Sequence, residues 1–170
     1  MGTKIVNNIC GLDPGLYRTG YGIIVPDEKG ETKIVDAGII ETSKSASLAD
    51  RLGQIYEELI NLFSEYDLMH VAVESLYSHY KHPRTAILMG HARGVILLSA
   101  KQYNIPIIDF SATQIKKSLT GNGRASKIQI QRAVISRLNL SGVNKDIPSD
   151  VTDALAVAIC CYEHQKKPGF

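Results

Sequence analysis

Apolar and polar positions along the chain change period several times, and each change marks an element. Lys4 to Leu12 reads as a first strand, ending in the apolar run Ile9-Cys10-Gly11-Leu12. The turn Asp13-Pro14-Gly15 leads to a second strand, about Thr19 to Pro26, and Asp27-Glu28-Lys29-Gly30 turns into a third, about Thr32 to Glu41. Short connections make these three antiparallel. The period then becomes helical: Ser47 caps a long amphipathic helix on which Leu48, Leu52, Ile55, Leu59, Leu62 and Phe63 recur. A fourth strand, about Met69 to Glu74, is reached through this helical crossover and is expected to lie parallel to the first. A polar, aromatic stretch, Ser75 to Arg84, precedes a second long helix, about Thr85 to Tyr103. Ile105 to Phe110 is a fifth strand, Ala112 to Leu119 a short helix, and Gly121-Asn122-Gly123 a break. Helices at about Ser126 to Leu138 and Pro148 to Gln165 complete the pattern.

Three antiparallel strands followed by alternating helices and strands describe an α/β protein. The expectation is a five-stranded mixed sheet with helices on both faces, in the element order of the ribonuclease H-like fold. The 170 residues suit a single domain, 1–170, with enough chain to bury a core. There is no internal repeat, low-complexity tract or linker.

Four acids lie where this arrangement makes them neighbours. Asp13 ends the first apolar strand, Glu74 ends Val71-Ala72-Val73, and Asp150 and Asp153 open the last helix, three residues apart on one face. Each has an ordinary reading. Asp13 before Pro14-Gly15 can initiate a turn, Glu74 can be a solvated strand end, and the two aspartates can complement a helix dipole. Together they form a hard-oxygen donor set suited to Mg²⁺, with two ions per site. Such a pair of ions stabilises both the attacking and the leaving oxygen of a phosphodiester, a poor electrophile. The chain therefore reads as a nuclease.

Charge sharpens this reading. Tyr77 to Ala133 holds nine basic side chains against one acid, Asp109, a net of +8, while the rest of the chain nets −6. The asymmetry fits a polyanion footprint. Its plain alternative is a set of solvated helix faces, and Arg93 and Lys101 are expected to be just that. A lysine just after a glycine-rich turn at a helix start, such as Lys127, suits phosphate. An exposed aromatic beside basic residues, such as Tyr77, suits base stacking. His70 and His91 read as structural. Gly90 and Gly94 permit close approach, either of helix to sheet or of one copy to another. Cys10, Cys160 and Cys161 have no zinc-site spacing and read as buried free thiols of a reducing compartment. The apolar runs are too short for a bilayer and the N-terminus has no secretory h-region, so the expected location is cytoplasmic, with no membrane partner.

The residues resemble the RuvC family of bacterial Holliday-junction resolvases. Gly11-Leu12-Asp13-Pro14-Gly15 with Thr19-Gly20-Tyr21-Gly22 resembles its opening motif, and Ala72-Val73-Glu74 its second. Gly90-His91-Ala92-Arg93-Gly94, Gln114-Ile115-Lys116-Lys117 and Gly121 to Lys127 are similar to three further segments, and Asp150-Val151-Thr152-Asp153-Ala154-Leu155-Ala156 to its close. The ordered set spans about Ile9 to Ala158. The resemblance implies a homodimer that nicks a four-way DNA junction symmetrically with Mg²⁺ or Mn²⁺ in recombination and repair, and a RuvA–RuvB branch-migration complex as a further partner. It implies Asp13, Glu74, Asp150 and Asp153 as catalytic metal-binding acids, leaving Asp150 open between metal ligand and general base. It implies Lys127 as a catalytic phosphate contact, with Lys116 beside it. The proposed DNA-binding set is Tyr77, Lys81, Arg84, Lys116, Lys117, Arg124 and Lys127. The loop Ser78-His79-Tyr80-Lys81-His82-Pro83 is one residue longer than the family's common form, which leaves the division of labour among Tyr77, Tyr80, Lys81 and His82 open. Arg124 stands where the family often has a small residue.

Other readings share parts of this pattern. Actin-like ATPases and sugar kinases have a similar Asp-Pro-Gly hairpin but need a second such domain and a second phosphate loop. A ribonuclease H or transposase-like nuclease shares the acids but not the Gly121 to Lys127 segment. A non-catalytic junction-binding protein would not need all four acids.

Overall fold

The computed structural model describes residues 7–27, 30–76, 83–140 and 147–166. Among them the strands are β1 (Asn8–Asp13), β2 (Arg18–Pro26), β3 (Thr32–Glu41), β4 (Leu68–Glu74) and β5 (Ile107–Phe110), and the helices are α1 (Leu48–Glu65), α2 (Pro83–Gln102), α3 (Ala112–Thr120), α4 (Lys127–Arg137) and α5 (Ser149–Gln165). The part of the expected first strand before Asn7 lies outside the described residues. The strands form one mixed sheet in the order β3-β2-β1-β4-β5. β1, β2 and β3 pair antiparallel, and β4 runs parallel to both β1 and β5.

The expected elements are present with small shifts at their ends, and one shift has a clear cause. The fifth strand begins at Ile107 rather than Ile105. Asn104 has a left-handed φ of 54°, and the Ile105 amide turns back to donate to the Ala100 carbonyl at 3.0 Å, closing α2. The Pro106 carbonyl then accepts from Val71, starting the ladder.

Helices cover both faces. α1 and α2 pack over Cys10, Leu12, Ile23, Val71 and Val73, and α3, α4 and α5 pack over Ile9, Ile24, Ala72 and Phe110. α5 is buried nearly all round from Val151 to Cys161, because the sheet lies on one side and α3 and α4 on the other. This explains why its apolar residues show little helical periodicity. All three cysteines are buried and free. Among the described residues no helix is long and apolar enough to cross a membrane.

Alternation along each strand decides which side chains meet α5. On β1 these are Ile9, Gly11 and Asp13; on β4, His70, Ala72 and Glu74; on β2, Arg18, Gly20 and Gly22. α5 lies almost on the backbone of β1 and β2. A Cβ on Gly11 would come within 2.1 Å of the Ala154 carbonyl oxygen, and one on Gly20 within 2.1 Å of that of Asp150. Only glycine permits this depth.

Candidate active site

Asp13 and Glu74 are brought together by register. β1 and β4 pair in parallel with Leu12 opposite Val73, so the next residues of the two strands, Asp13 and Glu74, end side by side. Both project onto the α5 face. The end of β4 is held by the Ser75 amide, which donates to the Phe110 carbonyl at 2.9 Å. The β1–β2 connection is held by Thr19, fully buried, whose hydroxyl donates to the Gly15 carbonyl at 2.7 Å. On the other strand of this pair Gly20 faces Asp13, and the Asp150 backbone rests on Gly20. The first turn of α5 is therefore fixed over the carboxylates of the strand ends.

The four acids feel one another. Burial, then the charges of Asp153, Glu74 and Asp150, push the Asp13 carboxyl up to about 7 from 3.8, with Lys127 opposing. Burial and Asp153 raise Glu74, against Lys116 and Lys127. The two helix acids hold cations instead. Lys127 Nζ donates to Asp153 Oδ2 at 2.8 Å, and this bond, ahead of the nearby charges, raises the lysine. Arg18 Nε stands 3.2 Å from Asp150 Oδ2, and its Nη1 stands 3.4 Å from Glu41 Oε1.

Lys127 is the first residue of α4. Ser126 caps the helix in a reciprocal box with Gln129, and the preceding turn is set by Gly121 at φ 75° and by Ala125, which is buried. Lys116 comes from α3. Glu74, Lys116, Lys127 and Asp153, with Ala112, Ile115, Ile130 and Ala156, line a cleft of about 270 Å³. Two carboxylates and two ammonium groups thus share its lining, with Lys127 bonded to Asp153.

The remaining expected residues divide. Arg84 and Arg124 are exposed, Arg124 in the α3–α4 turn where its amide donates to Asn122 Oδ1 at 2.9 Å. Lys117 lines a different groove, with Phe110, Gln114 and Glu163, and does not face the acids. Tyr77 and Lys81, with His79, Tyr80 and His82, lie outside the described residues. Two expectations require correction. Arg93 is not a solvated helix residue: it is four-fifths buried and pairs with Asp109, the one acid of the basic segment, so that pair cancels internally. His91 is exposed on α2, whereas His70 is tied to Gln165 at 2.8 Å. Sequence reading missed Arg18. Its signal was position, two residues before Gly20 and so on the same strand face.

Among the described residues no group of three or more His, Cys, Asp or Glu side chains is gathered tightly enough to hold an ion as it stands. The donor chemistry nevertheless fits a hard divalent cation: four carboxylates share one strand-end region, and burial, then the neighbouring acids, raises the proton affinity of Asp13.

A mixed sheet of this order, flanked by helices on both faces, is that of the ribonuclease H-like fold, and here it carries acids at the ends of two neighbouring strands and on the final helix. The family model described as Crossover junction endodeoxyribonuclease RuvC matches residues 9–161. A crossover junction endodeoxyribonuclease RuvC of Rhodopirellula baltica is 44% identical over 167 residues, covering 94% of this chain and 92% of its own. One of Caldicellulosiruptor saccharolyticus is 47% identical over 152 residues, covering 89% and 90%. Among solved structures, T. thermophilus RuvC in complex with a Holliday junction substrate superposes with a TM-score of 0.87 at 25% identity, covering 94% of this chain and 95% of that one. The chain belongs to the RuvC family of crossover junction endodeoxyribonucleases.

Proposed function

We propose that the chain cuts four-way DNA junctions by symmetric paired nicks, using Mg²⁺, with Mn²⁺ able to replace it, two ions per site held by Asp13, Glu74, Asp150 and Asp153. The observation that carries this reading is geometric: register ends Asp13 and Glu74 side by side, and the first turn of α5, which carries Asp150 and Asp153, rests on Gly20 at the same strand end. When bound, the ions would activate a water nucleophile and stabilise the leaving oxygen. The chain's own groups supply the rest. Lys116 and Lys127 offer ammonium groups to a backbone phosphate entering the cleft, and Lys127 also orients Asp153. Asp150 has Arg18 beside Oδ2 as an ion pair, and Oδ1 has no ion pair among the described residues; metal ligation and water activation are both open to it. Arg84, Arg124, Lys117, Tyr77 and Lys81 complete the proposed DNA surface, with Lys117 the least favoured by its position.

The same proposal includes a homodimer acting in the cytoplasm, alone or with a RuvA–RuvB branch-migration complex. On α2, Ile87 (62% exposed) and Leu98 (56% exposed) stand with His91 and Gly94 at helical spacing on the outward side. A Cβ on Gly94 would meet nothing within 4 Å, so this glycine is not there for packing on the sheet. An apolar helix face with a small residue at its centre suits a second copy. An Ile87→Asp, Leu98→Asp variant is expected to run as a monomer in sedimentation and to lose paired nicking; a dimer that persists would remove α2 as the interface.

The function is tested with four-way, forked and linear duplex DNA, with and without Mg²⁺. Paired symmetric nicks confined to the four-way substrate and to the metal support the reading. Equal cutting of linear duplex would reject it.

A further inference from the structure

We propose that Arg18 is a positioning residue for Asp150, fixing the carboxylate through Oδ2 so that Oδ1 is the oxygen left to the site. The inference rests on the reading of Asp150 as one of the working acids. Three observations support it.

The first is placement. Arg18 and Gly20 share the α5 face of β2, and α5 touches both: its backbone at Asp150 lies against Gly20, and the Asp150 side chain lies against Arg18. Main chain and carboxylate of one residue are thus held by two positions of one strand. The second is anchorage. Glu41 is the direct cross-strand neighbour of Arg18 in the β2–β3 register, and its Oε1 stands 3.4 Å from Nη1. The guanidinium therefore lies between two carboxylates, Nε toward Asp150 and Nη1 toward Glu41. A guanidinium placed between two carboxylates in this way draws Asp150 Oδ2 toward β2 by charge.

The third is that the contact is a poor stability device. Arg18 Nε is buried and makes no hydrogen bond, although Asp150 Oδ2 is only 3.2 Å away. A buried charged N–H left off the hydrogen-bond direction costs folding free energy. The arrangement is therefore better explained by what it does to Asp150 than by what it adds to the fold.

The two helix acids are then handled alike. Each carries one resident cation, and each cation takes one named oxygen, Oδ2 in both residues. Lys127 can also reach a phosphate. Arg18, anchored to β3, has the narrower task of orientation.

The test uses the full chain as wild type, R18M, R18K, E41Q, the R18M/E41Q double variant and D150N. Single-turnover junction cleavage at saturating Mg²⁺, junction binding in EDTA, and Mn²⁺ binding by calorimetry are measured for each. R18M should cut about 10–100-fold more slowly, the usual loss when a group orienting a metal ligand is removed. Its junction binding should be unchanged, and its Mn²⁺ binding equal or tighter, because a positive charge has left the site's edge. R18K should recover part of the rate. E41Q should lose less than R18M, and the double variant should be no worse than R18M, because Glu41 acts through Arg18.

Four results would overturn the proposal: cleavage by R18M at or above the wild-type rate; a loss that follows weaker junction binding, which would make Arg18 a DNA contact; weaker Mn²⁺ binding together with a lower Tm, which would make it structural; and multiplying losses in the double variant. D150N separates this inference from the reading beneath it. If D150N still cuts, Asp150 is not a working acid and both fail. If D150N is inactive and R18M is normal, only the role of Arg18 fails.

Discussion

The two acids on strands and the two on the helix reach the same place by different physics. Asp13 and Glu74 are placed by hydrogen-bond register, are partly buried, and make no ion pair among the described residues. Asp150 and Asp153 are placed by side-on packing of α5 against glycines, and each holds a basic side chain. The strand pair is thus short of positive charge; the helix pair is already compensated. A divalent cation has most to gain at the strand pair, while the helix pair supplies ligands whose orientation other residues can tune.

The sharpest way to break this comparison is to neutralise one acid from each group. D13N and D153N should both lose junction cleavage on the order of 10³-fold or more, since groups that merely orient a metal ligand are already worth about 10–100-fold. Junction binding in EDTA should survive in both. In metal-free melts they should part: D13N should gain about 2 kcal/mol at pH 8, because a repelled, buried carboxylate becomes neutral. D153N should move by less than about 1 kcal/mol, because relief of Asp13 offsets the lost Lys127 bond. Equal stability changes in the two variants would mean that the groups do not differ.

The helix pair should instead be sensitive to packing. Gly20→Ala places a methyl where the Asp150 carbonyl oxygen now lies, 2.1 Å from the ideal Cβ. The backbone cannot yield as a side chain would, so α5 must shift. The expected cost is about 3 kcal/mol, at the upper end of overpacking penalties, with cleavage lost as Asp150 and Asp153 move off the strand ends. Denaturant melts and cleavage assays report the two parts. A G20A protein of wild-type stability and activity would show that α5 is not fixed by this contact.

The same contrast explains what was legible in the sequence. The strand acids could be read because each ends an apolar run, and parity along β1 and β4 then fixes the face they use. The helix acids could be read from their spacing of three and from the motif around them. What the sequence hid was how α5 reaches the sheet. Gly11 and Gly20 were visible only as letters of a motif, and their purpose, lack of a Cβ under a helix backbone, needs the third dimension. Arg18 was hidden for the same reason, since its partners are 23 and 132 residues away along the chain. Arg93 was misread because the single acid of the basic segment, Asp109, is on β5 and meets it only after α2 packs.

The pH dependence of the metal-free protein sharpens the charge half of the comparison. Asp13 has a folded value of about 7 against 3.8, so the folded state holds its proton more tightly than the unfolded chain. The stabilisation this brings is fully present below about 4 and is lost as pH rises through 7. Glu74 shifts in the same direction. Melts in EDTA should therefore lose about 2 kcal/mol between pH 5 and pH 8, and D13N should flatten most of that slope. Mg²⁺ should raise Tm more at pH 8 than at pH 6, since the ion must displace the Asp13 proton at the lower value. A slope of opposite sign, or one unchanged in D13N, would remove Asp13 as its source.

The smallest effect concerns the helix pair's own cation. Lys127 is more than half exposed, with 58% of its side chain accessible, although its bond to Asp153 is short and charge-assisted. Solvent screening limits such a pair to below about 1 kcal/mol, and added salt reduces it further. K127M should therefore melt almost like wild type in EDTA and lose what difference it has by 1 M salt. Its cleavage should nevertheless fall clearly, because the same ammonium group faces the cleft and Asp153 loses its orientation. Stability and activity would then separate at Lys127, whereas at Gly20 they fall together. A K127M protein with a large loss of Tm would place the lysine among the groups that build the site rather than among those that work in it.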